Sequence, residues 1–307
     1  MAFKNFTHFQ IVGAIILAIV ASLTVASGAF EEEKLYPVEN LDDFAPPLIF
    51  PARPTAEANP FIPDLPAIPE IEQPKLNAAE LARKFDARNL KVEVLSSTPE
   101  IKKVEVENCK ALLEKTLATI PENLTTSFDK MKLFFSKKNP RGLSNSHLVE
   151  LRCANLGEAE IVAVFIHELG HIVDLGRLKG ASFAPSGFLD GKLKIPADDP
   201  SVTFYKLSWR DEATQKYLAE RKDFVSGYAM NDPFEDFAES FNFYVLHGTD
   251  FRAIANESTI LAKKYDFLKN EVFDGLEFES ERKTKNEKRV WDTTLVEFDL
   301  EEFFVRN

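Results

Sequence analysis

Apolar and polar positions alternate with two different periods along the chain, and those periods predict its elements. Residues 90-LKVEVL-95, 131-MKLFFS-136 and 147-HLVELR-152 read as short strands. The segment 101-IKKVEVENCKALLEKTLATI-120 sets Val106, Cys109, Leu113, Leu117 and Ile120 at helical spacing, with Pro121 just past its end. Asn139-Pro140-Arg141-Gly142 reads as the turn between the second and third strands. A second helix is expected from Glu158 to Leu175, with Gly176 as its stop. A stretch rich in Gly and Pro follows as far as Pro200, and Asp211 to Lys222 has a helical composition. Asp232 opens another helix, with Asp as cap and Pro233 at the first position ahead of 234-FEDFAESFNFYVLH-247. The tail from Glu277 is charged, then aromatic, and its pattern predicts no element. The order of elements indicates an α+β fold, a small sheet backed by helices.

Two N-terminal stretches depart from this patterning. The run 11-IVGAIILAIVASLTVASGAF-30 carries no charge, and Glu31, Glu32 and Glu33 follow it. It is long enough to cross a bilayer as a helix. Lys4 before it and the acids after it place the N-terminus inside and the rest outside. Ser27, Gly28 and Ala29 also suit a signal-peptidase site, so residues 1–30 are a membrane anchor or a cleaved signal peptide. Residues 31–75 hold ten of the 17 prolines and read as an extended stalk. The folded domain is expected over 76–307, on the extracytoplasmic side.

Composition then narrows the chemistry. A formal charge of −12 argues against nucleic acid as a partner, because phosphate binding needs a basic face. The two cysteines, Cys109 and Cys153, permit one disulfide in an exported chain, or two buried thiols.

Within the second helix, 160-EIVAVFIHELGHIVDL-175 sets His167 and His171 four apart, hence side by side and one turn along. Glu168 stands about 100° round, beside a shared ion rather than on it. This H-E-x-x-H arrangement points to Zn²⁺, with the glutamate as general base. Apolar residues surround the three on nearly every side, and burying them without a partner is costly. A catalytic zinc site needs a third protein ligand. Arg177 stands six residues after His171, so a third histidine at that spacing is excluded. His147 and His247 lack a partner at ligand spacing and are read as structural. Glu235 and Glu239 of 232-DPFEDFAESF-241 share one helix face. One can ligate the metal while the other orients a ligand histidine. A competing role for Glu235 is to bond back to the Asp232 cap, but that leaves Glu239 unexplained, so Glu235 is favoured as the ligand. Asp236 points elsewhere and is expected to be solvated.

The run 226-SGYAMNDPFEDFAESF-241, taken with 167-HELGHIVD-174, resembles the catalytic domain of anthrax lethal factor and its relatives, which include the Pro-Pro endopeptidases. The likeness covers about residues 140–250, and Tyr228, Glu235 and Glu239 keep the family spacing. It implies a zincin-like metallopeptidase domain with a small mixed sheet, a backing helix, the H-E-x-x-H helix and a third-ligand helix. It also implies zinc held by His167, His171 and Glu235, Glu239 behind them, Glu168 as base, and Tyr228 as donor to the oxyanion of a peptide or protein substrate. The segment between the two motifs does not align, so cleavage specificity does not transfer. Strand 147–152 is expected to be the sheet edge on which the peptide lies. The competing functions are a zinc hydrolase acting on other material, and a stalked cell-surface binding protein with a structural zinc.

Overall fold

The segments of period two become neighbours in one sheet. In the computed structural model, which describes residues 90–95, 103–283 and 290–306, the strands are β1 (Lys91–Leu95), β2 (Lys130–Phe134), β3 (Gly142–Ser144) and β4 (Leu148–Arg152). Their order in the sheet is β1-β2-β4-β3. β1, β2 and β4 run parallel, and β3 is antiparallel to β4. Met131 and Leu133 of β2 and Val149 and Leu151 of β4 are fully buried. On the opposite face Lys132 and Glu150, directly opposed in register, form an ion pair of 2.7 Å. The expected N-terminal segment (1–30), stalk (31–75) and domain start at residue 76 lie outside the described residues.

Two expectations about this sheet are corrected. The turn at Asn139–Gly142 does not join β2 and β4 as a hairpin, because β3 forms directly after it and takes the antiparallel place beside β4. β4 is therefore an interior strand, and the edge on its side of the sheet is β3, with Leu143 pointing outward at 57 % exposure.

Helix α1 (Lys103–Thr119) buries Cys109, Leu113 and Leu117 and packs on α2 (Glu158–Ile172). Cys109 is joined to Cys153, just beyond β4, so the two cysteines form a disulfide. Every residue of α2 from Ile161 to Gly170 is buried, which explains its nearly continuous apolar run. α2 continues through a wider π-type turn, Val173–Arg177. Gly176 does not stop the helix. A Cβ there would stand 2.2 Å from the Ser146 carbonyl, so the glycine serves the close approach of the loop before β4.

The Gly- and Pro-rich stretch folds as a hairpin of β5 (Pro185–Asp190) and β6 (Leu193–Pro196), followed by α3 (Ser201–Ser208). The helix expected over 211–222 does not form. Strands β7 (Trp209–Asp211) and β8 (Thr214–Gln215) pair instead, and a 3₁₀ turn spans Arg221–Asp223. Tyr217 and Leu218 are exposed, so a helix there would have no apolar face to bury, and composition alone does not hold one. The helix expected from the Asp232-Pro233 start forms, as α4 (Pro233–Leu246). Helices α5 (Gly248–Ala255), α6 (Thr259–Phe267) and α7 (Leu300–Arg306) complete the described residues. The result is a mixed α+β fold. No helix among the described residues is long and apolar enough to cross a membrane.

Candidate metal centre

α2 and α4 pack against each other, and Gly170 makes the approach possible. A Cβ at Gly170 would stand 2.9 Å from the Ala238 Cα. Asn242 of α4 also donates to the Ala163 carbonyl of α2 at 2.7 Å. This crossing carries the H-E-x-x-H face to the Glu235 face. Glu235 Oε2 lies 3.2 Å from His167 Nε2 and 3.6 Å from His171 Nε2. Two ligands about 2.05 Å from one ion at the tetrahedral angle stand roughly 3.4 Å apart. The observed spacings bracket that value. Oε2 is buried without a hydrogen-bond partner, which is the state expected of an oxygen awaiting a cation. His167, His171 and Glu235 therefore fit a metal as a candidate triad, their ligand atoms all within 4.8 Å of one another.

The charge of these groups follows from the same contacts. Burial pulls the His167 imidazole down, but the Glu235 and Glu239 carboxylates close to its two nitrogens outweigh it and hold it well above its ordinary value. His171 is raised by its contact with Glu235 in the same way, against burial. Burial alone would raise Glu235, yet the two imidazoles drive it far below the usual carboxylate range. The two imidazoles and the Glu235 carboxylate thus favour one another's charged forms, and metal binding there would compete with protons.

Asp232 caps α4, accepting from the Phe234 and Glu235 main-chain N–H groups at 2.9 and 2.8 Å. Glu235 does not bond back to the cap, because its carboxylate is turned to the histidines. One turn on, the fully buried Glu239 brings Oε1 to 3.0 Å from His167 Nδ1. Tyr228 lies on the 3₁₀ turn before α4, and its hydroxyl donates to Glu235 Oε1 at 3.3 Å. Burial and the Glu235 charge push this phenol above its ordinary range, so it keeps its proton. Glu168 is buried beside the histidines, with its carboxylate against β3. Ser144 donates to its Oε2 at 2.5 Å, and a Cβ at Gly142 would stand 2.2 Å from its Oε1. Gly142 leaves room for the carboxylate, and the charge of Glu168 acts on both imidazoles.

No family model and no curated protein matches the chain.

All six residues singled out from the sequence converge here, and one neighbour is corrected. Asp236 is not solvated. It is fully buried, accepting from Trp209 Nε1 at 2.9 Å and from Lys264 Nζ at 2.7 Å. Lys264 also donates to the Asp223 carbonyl and lies 4.0 Å over the Phe224 ring. This pair ties the outer face of α4 to α6. His147 is exposed and His247 is buried just past the end of α4, and neither joins the triad. Asp174, which completes the quoted likeness, accepts from Tyr205 at 2.6 Å, and burial raises it to about 7. Gly142, Ser144 and the segment around Thr293 were not legible from local patterning, because each acts through a contact between distant parts of the chain.

Proposed function

We propose that this protein is an extracytoplasmic, zinc-dependent endopeptidase of the zincin type, acting on a peptide or protein substrate. The observation that carries the reading is the meeting of His167, His171 and Glu235 at tetrahedral ligand spacing, with Glu168 between that triad and an exposed strand edge. When bound, zinc supplies Lewis acidity to a water molecule and to the scissile carbonyl. Glu168 accepts the proton of that water and delivers it to the leaving amine. Ser144 holds one oxygen of Glu168, which leaves the other for the proton. Tyr228, kept protonated by its surroundings, turns from Glu235 to donate to the developing oxyanion. The substrate lies extended along β3, gaining main-chain hydrogen bonds from the free edge. The disulfide supports a location outside the reducing cytoplasm. The apolar segment at 11–30 then serves as membrane anchor or signal peptide.

The test is cleavage of a mixed peptide library by the zinc-loaded full-length protein beside its Glu168→Ala variant. Cuts made by the wild type alone support the reading and report its subsites. An intact library in the presence of folded, zinc-loaded protein overturns it, and favours a binding protein displayed on a stalk.

A further inference from the structure

Glu239 has two carboxylate oxygens, and the metal centre uses only one of them. Oε1 faces His167 Nδ1 at 3.0 Å, and Oε2 accepts from the main-chain N–H of Thr293 at 2.8 Å. Thr293 is 54 residues away in sequence, in the tail whose pattern predicts no element. The tail reaches the site through a ladder of contacts. The Val290 carbonyl accepts from Gly227 N at 3.0 Å, and the Trp291 carbonyl accepts from Tyr228 N at 2.6 Å. Asp292 pairs with Arg141, which directly precedes β3, and Arg141 also donates to Thr294 Oγ1 at 2.9 Å. Val290, Trp291, Asp292 and Thr294 thus touch the tyrosine turn and the start of the edge strand, and Thr293 among them holds the carboxylate behind the candidate ligands.

We infer that the segment Trp291–Thr294 is a positioning element of the metal centre, in which the Thr293 N–H fixes Glu239 and, through it, His167. The inference rests on the reading of His167, His171 and Glu235 as metal ligands. Glu239 is fully buried, so an oxygen without a donor cannot turn to water instead. With Oε2 held by Thr293, Oε1 is aimed at Nδ1. A carboxylate there keeps the Nδ1 proton in place and leaves the Nε2 lone pair for the metal. The local fold frees the donor. Thr293 opens a 3₁₀ turn capped by Asp292, and the first N–H of such a turn has no partner inside it. The Thr293 hydroxyl has no hydrogen-bond partner, so the tie to Glu239 is the main chain alone.

Because the donor is a backbone group, Thr293→Pro removes it selectively. The first position of a helical turn accepts proline. Asp292, at φ −139° and ψ 124°, already has the extended conformation required before proline. The measurement is zinc affinity of the full-length protein by chelator competition, with thermal unfolding of the zinc-free protein alongside. Thr293→Pro is expected to weaken zinc binding by about tenfold or more, the usual cost of removing a partner behind a ligand. In a Glu239→Ala background the same substitution is expected to change affinity by less than about twofold, since the two residues act as one unit. Equal weakening in both backgrounds, or none in either, overturns the inference. Should Thr293→Pro fail to fold, Arg141→Gln loosens the same segment from outside, and unchanged affinity there overturns it as well. Wild-type zinc binding no tighter than that of His171→Ala is a distinct result, because it removes the metal reading itself.

Discussion

Gly170 lies so close to Ala238 that a Cβ at position 170 would stand 2.9 Å from the Ala238 Cα and 3.3 Å from the Phe241 Cβ. The residue between Leu169 and His171 therefore sets the distance between the two helices that carry the candidate ligands. Gly170→Ala must push α4 away from α2 or strain the crossing. We expect a loss of about 1–3 kcal/mol in stability from overpacking. Zinc affinity should fall with it, since Glu235 moves with α4. Urea unfolding of the zinc-free protein and chelator competition measure the two effects separately. A variant with wild-type affinity would show that the approach at Gly170 does not govern the triad.

Glu168 tests the division between binding and turnover. Its carboxylate contacts Ser144 and stands outside the group of ligand atoms. Glu168→Gln keeps the volume and the Ser144 contact and removes the base. Zinc content is expected to match the wild type, and peptide cleavage to fall by about 10²–10⁴-fold. Turnover at the wild-type rate would assign the base elsewhere.

The Glu235 face of α4 was legible because two constraints coincide on it. The Asp232-Pro233 start fixes the helix phase, and that phase puts Glu235 and Glu239 one above the other. The same reasoning failed at Asp236, one residue on. Helix phase shows that Asp236 faces away from the histidines, but not that Lys264 of a later helix covers it. The failed helix at 211–222 has a related cause. Its residues favour a helix locally, but Trp209 is drawn inward to Asp236 and the segment turns as a hairpin. Contacts such as Thr293 with Glu239 and Gly142 with Glu168 join parts of the chain far apart in sequence, and no local period encodes them.

The buried pair behind α4 carries its own prediction. Lys264 and Asp236 are both fully enclosed, and burial pushes Lys264 down while the same burial raises Asp236 to about 6. Lys264→Met fills the space but leaves Asp236 facing only Trp209 as donor. Breaking a buried pair from one side costs about 3–5 kcal/mol. The urea midpoint of Lys264→Met should fall accordingly, and Asp236→Asn in that background should recover part of the loss. No recovery would mean that the lost packing of Lys264, rather than the stranded carboxylate, is responsible.

The disulfide ties α1 to the residue after β4 across 44 positions. Closing a loop of that length contributes about 4 kcal/mol in the chain-entropy model. Replacing both cysteines by alanine is expected to lower stability by that order, while zinc affinity of the folded fraction stays at the wild-type value. Equal stability with and without the bond would mean that the unfolded chain is already compact between Cys109 and Cys153.

His247 gives stability a dependence on acid that a single variant can expose. The ring is fully buried against Phe243 and Phe298, and neither nitrogen has a hydrogen-bond partner. Burial lowers it from 6.5 to about 3, with Asp250 opposing and Arg282 reinforcing the shift. Between those two values the unfolded chain takes up a proton that the folded chain refuses. Folding stability is therefore whole above pH 6.5 and declines as the pH falls towards 3, by up to about 1.4 kcal/mol per unit. His247→Leu cannot take up that proton in either state. Relative to its own value at pH 7.5, the wild type should lose about 2 kcal/mol more than His247→Leu on going to pH 5. Urea unfolding of both proteins at the two pH values measures the difference. Parallel declines would show that the His247 ring reaches water or a partner in the folded protein.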